Sequence, residues 1–326
     1  QGSGTFEAQL KESPFLRGVE EKLWRQVLEE VVVADLQSKF DDICGLEGAK
    51  QVLYESVVLP ELAPAFFTGL KAPPKGVLLF GPPGNGKTML AKALASERQS
   101  TFFSISAASL VSKWLGEGEK LVRALFSCAR ALAPTVIFFD ECDAVLTTRS
   151  TGEHEGTRRL KNEFLLQSDG VASSAAHDAR VLVIGATNRP QDLDEAVLRR
   201  FAKRVYIPLP DAASRRQIMG HLLQGEKCDL AEGDFEEMVT DTEGYSASDL
   251  KTLFAEMVMI PVREVLVTLK VGAGSAAVQQ SLDNDVRPVL ISDFRRTLGI
   301  VRPSVGSEQL EALAMWNRKF GSAVCH

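Results

Sequence analysis

The chain is poor in the residues that build disulfide scaffolds and metal centres. Its five cysteines, Cys44, Cys128, Cys142, Cys228 and Cys325, are odd in number and scattered over 326 residues. That spacing gives no disulfide framework and fits a reducing compartment better. The four histidines, His154, His177, His221 and His326, stand at no metal-ligand spacing from a cysteine, a carboxylate or one another, so a structural zinc is not expected. No apolar run reaches the length of a membrane span and no signal peptide opens the chain, so no membrane contact is expected of this segment. Basic residues are also in deficit. The net charge of -6 argues against a nucleic-acid binder, although local basic patches remain open. With 25 glycines and 14 prolines the chain is neither collagen-like nor of low complexity. What is left is ordinary globular usage, 45% hydrophobic and 25% charged, at a length that suggests about two domains.

The order of elements gives the fold class. Residues 1–4, Gln-Gly-Ser-Gly, read as a cloning scar. Residues 5–39 read as an N-terminal linker with a helix over 19–33, whose Leu23, Trp24, Val27 and Leu28 make one side apolar. That side packs either on its own core or on a partner. Five short apolar strands follow, at 76–80, 101–105, 136–140, 181–186 and 204–207, separated by helices at 87–98, 119–131 and 156–167. Continuous apolar strands alternating with helices predict an α/β domain over 40–208, a parallel five-stranded sheet flanked by helices. Beyond Pro210 the strand signal stops. Helices at 214–223, 234–240 and 247–269 predict a small helical lid over 209–300. Ser246 serves as the N-cap of the last, Asp249 stands at its third position, and Pro261 kinks or divides it. Residues 271–285 read as a loop, and 301–326 as a C-terminal helix and tail.

The chemistry sits at strand ends. Gly81, Pro82, Pro83, Gly84, Asn85, Gly86, Lys87 and Thr88 match the phosphate-loop pattern in full, with a strand before and a helix after. The glycines let backbone N–H groups turn inward, and the helix N-terminus adds to that anion nest. Lys87 then reaches the β and γ phosphates of ATP, and the Thr88 hydroxyl ligates Mg²⁺. The strand over 136–140 ends in Asp140, placed to hold Mg²⁺, and Glu141, placed to polarise the attacking water. Asn188 follows the strand over 181–186, where a polar side chain can contact the γ-phosphate or the lytic water or can simply cap a turn. Arg199 and Arg200 end a helix, as a solvated corner or as groups that act between subunits.

These motifs, with 185–190 (Gly-Ala-Thr-Asn-Arg-Pro) and 198–201 (Leu-Arg-Arg-Phe), resemble the AAA+ ATPases, P-loop NTPases with a helical lid. The runs at 40–43 (Phe-Asp-Asp-Ile), 119–123 (Glu-Lys-Leu-Val-Arg) and 244–250 (Gly-Tyr-Ser-Ala-Ser-Asp-Leu) resemble the group of katanins, spastins, fidgetins and the ATPases that disassemble ESCRT filaments. Residues 105–110, 116–120, 152–155 and 199–206 are similar to the spastins, which sever microtubules. The resemblance covers about 14–320. It implies nucleotide contacts from Met89, Gly244 and Ser248 beside the phosphate loop, and Asn188 in contact with the γ-phosphate. It makes Arg199 and Arg200 arginine fingers that complete a neighbour's site in a ring or spiral hexamer. Lys113, Trp114 and Leu115 match the first pore loop, Trp114 standing where spastins usually carry Tyr. His154, Arg158 and Arg159 belong to or follow the second. Read alone, Trp114 could equally fill a core and Arg158–Arg159 a solvated helix face. The implied partners are tubulin C-terminal tails and microtubules, with no nucleic acid, in the cytoplasm and cytoskeleton. Residues 271–285 are too few for the lid insertion of the ESCRT-directed relatives, which favours severing over ESCRT or fidgetin-like disassembly. Cys142 replaces a usual branched aliphatic and is read as packed but open to oxidation.

Overall fold

Apolar strands pair side by side in the computed structural model, which describes residues 2–33, 38–107, 110, 117–148, 155–173, 181–268 and 285–322. Gly76–Phe80 (β2), Thr101–Ser106 (β3), Thr135–Asp140 (β4), Val181–Thr187 (β5) and Lys203–Tyr206 (β6) run parallel, in the order β3-β4-β5-β2-β6. β2 and β5 are buried from end to end. Helices cover both faces of the sheet, which is why these strands read as unbroken apolar runs.

The sheet departs from the all-parallel expectation at one edge. Val32–Val33 (β1) pairs antiparallel with β3, Val32 opposite Phe103 and Val33 opposite Phe102, making six strands among the described residues. The helix expected over 19–33 is therefore shorter, Glu21–Glu30 (α2). Three consecutive valines, Val31 to Val33, are stiff at χ1 and favour an extended chain. Pairing them with β3 also covers an otherwise open sheet edge. A further helix, Gly2–Lys11 (α1), precedes α2 without a sequence signal that announced it.

Alternate residues of each strand feed two cores. Leu78 and Phe80 of β2 join Phe103, Ile137 and Val183 on one face, with Gly118–Ala131 (α6) and Glu155–Ser173 (α7). Leu23, Trp24 and Val27 of α2 are buried in this same cluster, so the apolar side of α2 faces its own core. Val77 and Leu79 point to the other face, onto Glu47–Leu53 (α3) and Lys87–Glu97 (α5). Leu59–Leu62 (α4) and Glu195–Arg200 (α8) are short connectors. Cys142 is fully buried and burial pushes its thiol up, so it is a packed, unreactive side chain.

A third core lies among Ala212–Leu222 (α9), Glu232–Asp241 (α10), Ala247–Thr268 (α11) and Ile291–Leu298 (α12), built on Met219, Met238, Leu253, Phe254 and Phe294. The cap of α11 forms as expected: Asp249 N–H donates to Ser246 Oγ at 3.1 Å and Ser246 N–H to Asp249 Oδ2 at 2.9 Å. Pro261 sits inside this helix without dividing it. Residues 271–284 of the expected loop lie outside the described residues. Ser307–Phe320 (α13) returns to the sheet. Its Trp316 ring lies 4.5 Å from Phe80, and Ser322 N–H donates to Arg204 O at 2.8 Å.

Candidate functional site

Strand order assembles the site. β5 lies between β4 and β2, and neighbouring strands are about 5 Å apart. The C-terminal ends of these three strands therefore bring Asp140, Asn188 and the loop after Phe80 together.

Glycine is required at two points of that loop. Gly81 has φ 152°, and a Cβ there would stand 2.1 Å from Ile207 O. Gly84 has φ 73°, and its Cβ would meet Ser248 Cβ at 2.7 Å. The second contact belongs to the lid. Ser248 N–H donates to Gly84 O at 3.0 Å and Ala247 N–H to Asn85 Oδ1 at 3.2 Å, so the start of α11 is bonded directly to the phosphate loop. Asn85 Nδ2 spans back to Pro82 O and Pro83 O at 3.3 and 3.2 Å. Gly86 is the left-handed residue from which α5 starts.

Lys87 is folded into the loop it serves. Its ammonium donates to Gly81 O at 3.0 Å and Pro82 O at 2.8 Å. Burial lowers its pKa to about 8, against the opposing pull of Asp140 and Asp143. Two carbonyl dipoles are weak partners for a buried ammonium, and an anion would be a better one.

Across from it, Thr88 Oγ1 donates to Asp140 Oδ2 at 3.1 Å. A hydroxyl and a carboxylate this close are hard oxygen donors of the kind that bind Mg²⁺ beside phosphates. Glu141 N–H donates to Asp140 Oδ1 at 3.0 Å. Glu141 itself is exposed and held in the left-handed region, φ 49° and ψ 42°, a conformation that costs about 1–2 kcal/mol for a residue with a Cβ. Beside it, Thr187 Oγ1 donates to Asp143 Oδ1 at 2.6 Å and accepts Arg189 N–H at 2.9 Å. Those bonds fix the chain on both sides of Asn188. The Asn188 Oδ1 atom, just past the C-terminal end of β5, is buried with no protein donor, and a buried acceptor of this kind calls for a partner.

Sequence reasoning missed the wall beside the loop. A cavity of about 890 Å³ opens from Asn85, Gly86 and Met89. Ile43 and Gly45 line one side, Pro208 and Ala247 another, and Asn317 of α13 closes it. The run at 40–43 signals only a resemblance, and α13 is distant in sequence, so neither points to a pocket. Gly244 has φ 84° and sits in the turn between α10 and α11.

The two arginines are elsewhere. α8 leads into β6, which pairs with β2 from Val77 to Phe80. Arg200 O lies 2.2 Å from where Gly76 would carry a Cβ, at the start of β2. The phosphate loop begins past Phe80, about 13 Å further along the strand. Arg199 is 76% exposed, with Glu195 at 3.9 Å. Arg200 is pinned: its Nε donates to Asp169 Oδ1 at 2.9 Å and its Nη1 to Ala196 O at 3.0 Å.

Lys113, Trp114, Leu115 and His154 lie outside the described residues. Arg158 and Arg159 are exposed in the first turns of α7, where Arg159 pairs with Glu155. No helix among the described residues is long and apolar enough to cross a membrane.

Residues 77–209 match the family described as ATPase family associated with various cellular activities (AAA). The chain is 48% identical over 313 residues to Spastin of Naegleria gruberi, covering 96% of this chain and 58% of that protein. It is 50% identical over 312 residues to Fidgetin-like protein 1 of Caenorhabditis briggsae, covering 96% and 51%. The crystal structure of the FIGL-1 AAA domain in complex with ADP matches with a TM-score of 0.83 at 47% identity, over 95% of this chain and 100% of that one. The chain spans about half the length of the curated relatives it matches. Spastin and the fidgetin-like protein match almost equally, so the spastin expectation widens to the group that holds both.

Proposed function

Because the chain belongs to the AAA ATPases of the katanin, spastin and fidgetin group, enzymes that hydrolyse ATP, we propose that copies of it assemble, share each ATP site between neighbours and use hydrolysis to remodel a polymer. The observation that carries this reading is the separation of Arg199 and Arg200 from the phosphate loop, at opposite ends of β2. A protomer with its arginines so far from its own phosphates needs a second copy to supply them.

Within a protomer, the loop N–H groups and Lys87 hold the phosphates, and the cavity beside Ile43 and Met89 takes the nucleoside. Thr88 and Asp140 would hold Mg²⁺, which neutralises phosphate charge when bound. Asn188 orients the water that attacks the γ-phosphorus, and Glu141 takes its proton, giving ADP and phosphate. The neighbour's Arg199 neutralises charge that develops on the transferred group. Gly244 and Ser248 would contact the nucleotide from the lid side, where Ser248 already ties the lid to the loop.

The polymer we propose is the microtubule, gripped by its acidic tubulin tails through Lys113, Trp114 and Leu115, with His154, Arg158 and Arg159 as further substrate contacts. The near-equal match to a fidgetin-like protein supports disassembly of another polymer or complex as the second reading. Turnover measured against protein concentration, with and without microtubules, tests both. Specific activity is expected to rise with concentration, and to rise further with intact microtubules but not with microtubules stripped of their tails. Equal stimulation by stripped microtubules contradicts tail recognition, and no stimulation by either favours the second reading.

Lys87 gives a pH dependence. Its folded pKa of about 8 is below the ordinary 10.5, so the free site loses the proton as pH rises through 8. Phosphates would raise that pKa again, so binding at pH 8 takes up about half a proton. Above pH 8, affinity for ADP is expected to fall by up to about tenfold per pH unit until the bound form also titrates. Calorimetry at pH 8 in two buffers of different ionisation heat reads the proton uptake directly. Zero uptake and a flat affinity between pH 7 and 9 contradict this account of Lys87.

A further inference from the structure

Lys161 of α7 has no exposed surface, and the proposed hydrolysis does not use it. Its ammonium donates to Thr147 O at 2.9 Å and stands 3.8 Å from Asp194 Oδ2. These oxygens belong to two different parts of the protein. Thr147 ends the segment that leaves Glu141. Asp194 is the N-cap of α8 and accepts Ala196 N–H at 2.8 Å. The backbone laces the same two segments together: Thr147 bridges Leu193, Thr148 N–H donates to Asp192 O at 2.9 Å, and Asp194 N–H donates to Leu146 O at 3.0 Å. Eight residues further along α7, about 12 Å, Asp169 holds Arg200 at the other end of α8. α7 therefore grips α8 at both ends through charge.

A buried ammonium is costly unless oxygens compensate it. An apolar side chain of similar length would fill the same space without that cost. What the ammonium adds is direction, because it ties a carbonyl and a carboxylate to one point. We propose that Lys161 is a positioning residue. It fixes the direction in which α8 presents Arg199 and Arg200 to the adjacent copy, and it links that direction to the segment following the protomer's own Glu141. The inference rests on the shared-site reading above.

A double-substitution cycle in the full chain tests it, with turnover read at a concentration where wild-type specific activity has levelled off. Lys161→Met is expected to lower kcat by about tenfold or more, since small misplacements of a reacting group have effects of that size. The protomer's own affinity for ADP is expected to stay within about twofold, because its phosphate loop is untouched. In the Arg199→Ala/Arg200→Ala background, Lys161→Met is expected to change kcat by less than about twofold, because residues acting through one another do not add. Asp194→Asn keeps the cap acceptor and drops the charge. It is expected to show a smaller loss that also vanishes in that background, and it provides the cycle where Lys161→Met folds poorly. Losses that multiply in both cycles overturn the positioning role alone. So does full turnover in both single variants. Normal turnover of the arginine variant by itself overturns the shared site, and this inference with it.

Discussion

Glu141→Gln is expected to keep ATP bound while losing about 100-fold or more of steady-state turnover, the range for removing a positioned general base. Glutamine preserves shape and can still stand beside the water, but it cannot take the proton. The bond that fixes Asp140, from the Glu141 backbone N–H at 3.0 Å, does not involve the side chain and survives the change. Thr88 and Asp140 remain in contact at 3.1 Å, so nucleotide capture is untouched. Bound ATP that persists without phosphate release is also expected to hold neighbouring copies together, since the seam stays occupied. Fluorescent-nucleotide binding, phosphate release and sedimentation check the three effects. Normal phosphate release by this variant removes Glu141 from its assigned role.

Arg199→Ala is expected to lower kcat in the assembled state by about 10³-fold or more, the effect seen when an arginine finger is removed. The isolated protomer's affinity for ADP is expected to stay unchanged, because Arg199 stands at the far end of β2 from its own loop. Its exposure of 76% and loose contact with Glu195 give it no structural task, so the melting temperature is expected to hold within about 1 °C. Arg200→Ala differs. That guanidinium ties α8 to Asp169 and to Ala196 O, so its loss is expected to lower both turnover and thermal stability. Single-turnover rates and thermal melts of the two variants separate these effects. A wild-type single-turnover rate for Arg199→Ala at assembling concentration contradicts the role.

The phosphate loop, Asp140 and the five parallel strands were legible because local sequence dictates them. Gly81 and Gly84 occupy backbone positions that exclude a Cβ, and the central strands β2 and β5 are buried on both faces and so read as apolar runs. The antiparallel edge was not legible. Two residues, Val32 and Val33, carry no period of their own, and only the unpaired flank of β3 makes them a strand. The cavity wall beside the loop was hidden for a related reason. Ile43 and Asn317 meet in one cavity although 274 positions separate them, and nothing local to either announces the other. Lys161 follows Arg158 and Arg159 in sequence and carries no local mark of burial. Its burial becomes visible only when Thr147 and Asp194 are placed around it. Asn188 was ambiguous for the opposite reason: a turn asparagine and a γ-phosphate contact look alike in sequence, and the burial of an unpaired Oδ1 is not encoded by the residues next to it.

A single mixing measurement bears most directly on whether catalysis happens at a seam between two copies. Glu141→Gln protomers keep their arginines but lack the base, and Arg199→Ala/Arg200→Ala protomers keep the base but lack the arginines. Each preparation alone is expected to be inert. Mixed in equal amounts at assembling concentration, they create seams where an intact Glu141 faces an intact Arg199, and ATP turnover is expected to reappear. A mixture no more active than its two inert parents would contradict the shared site.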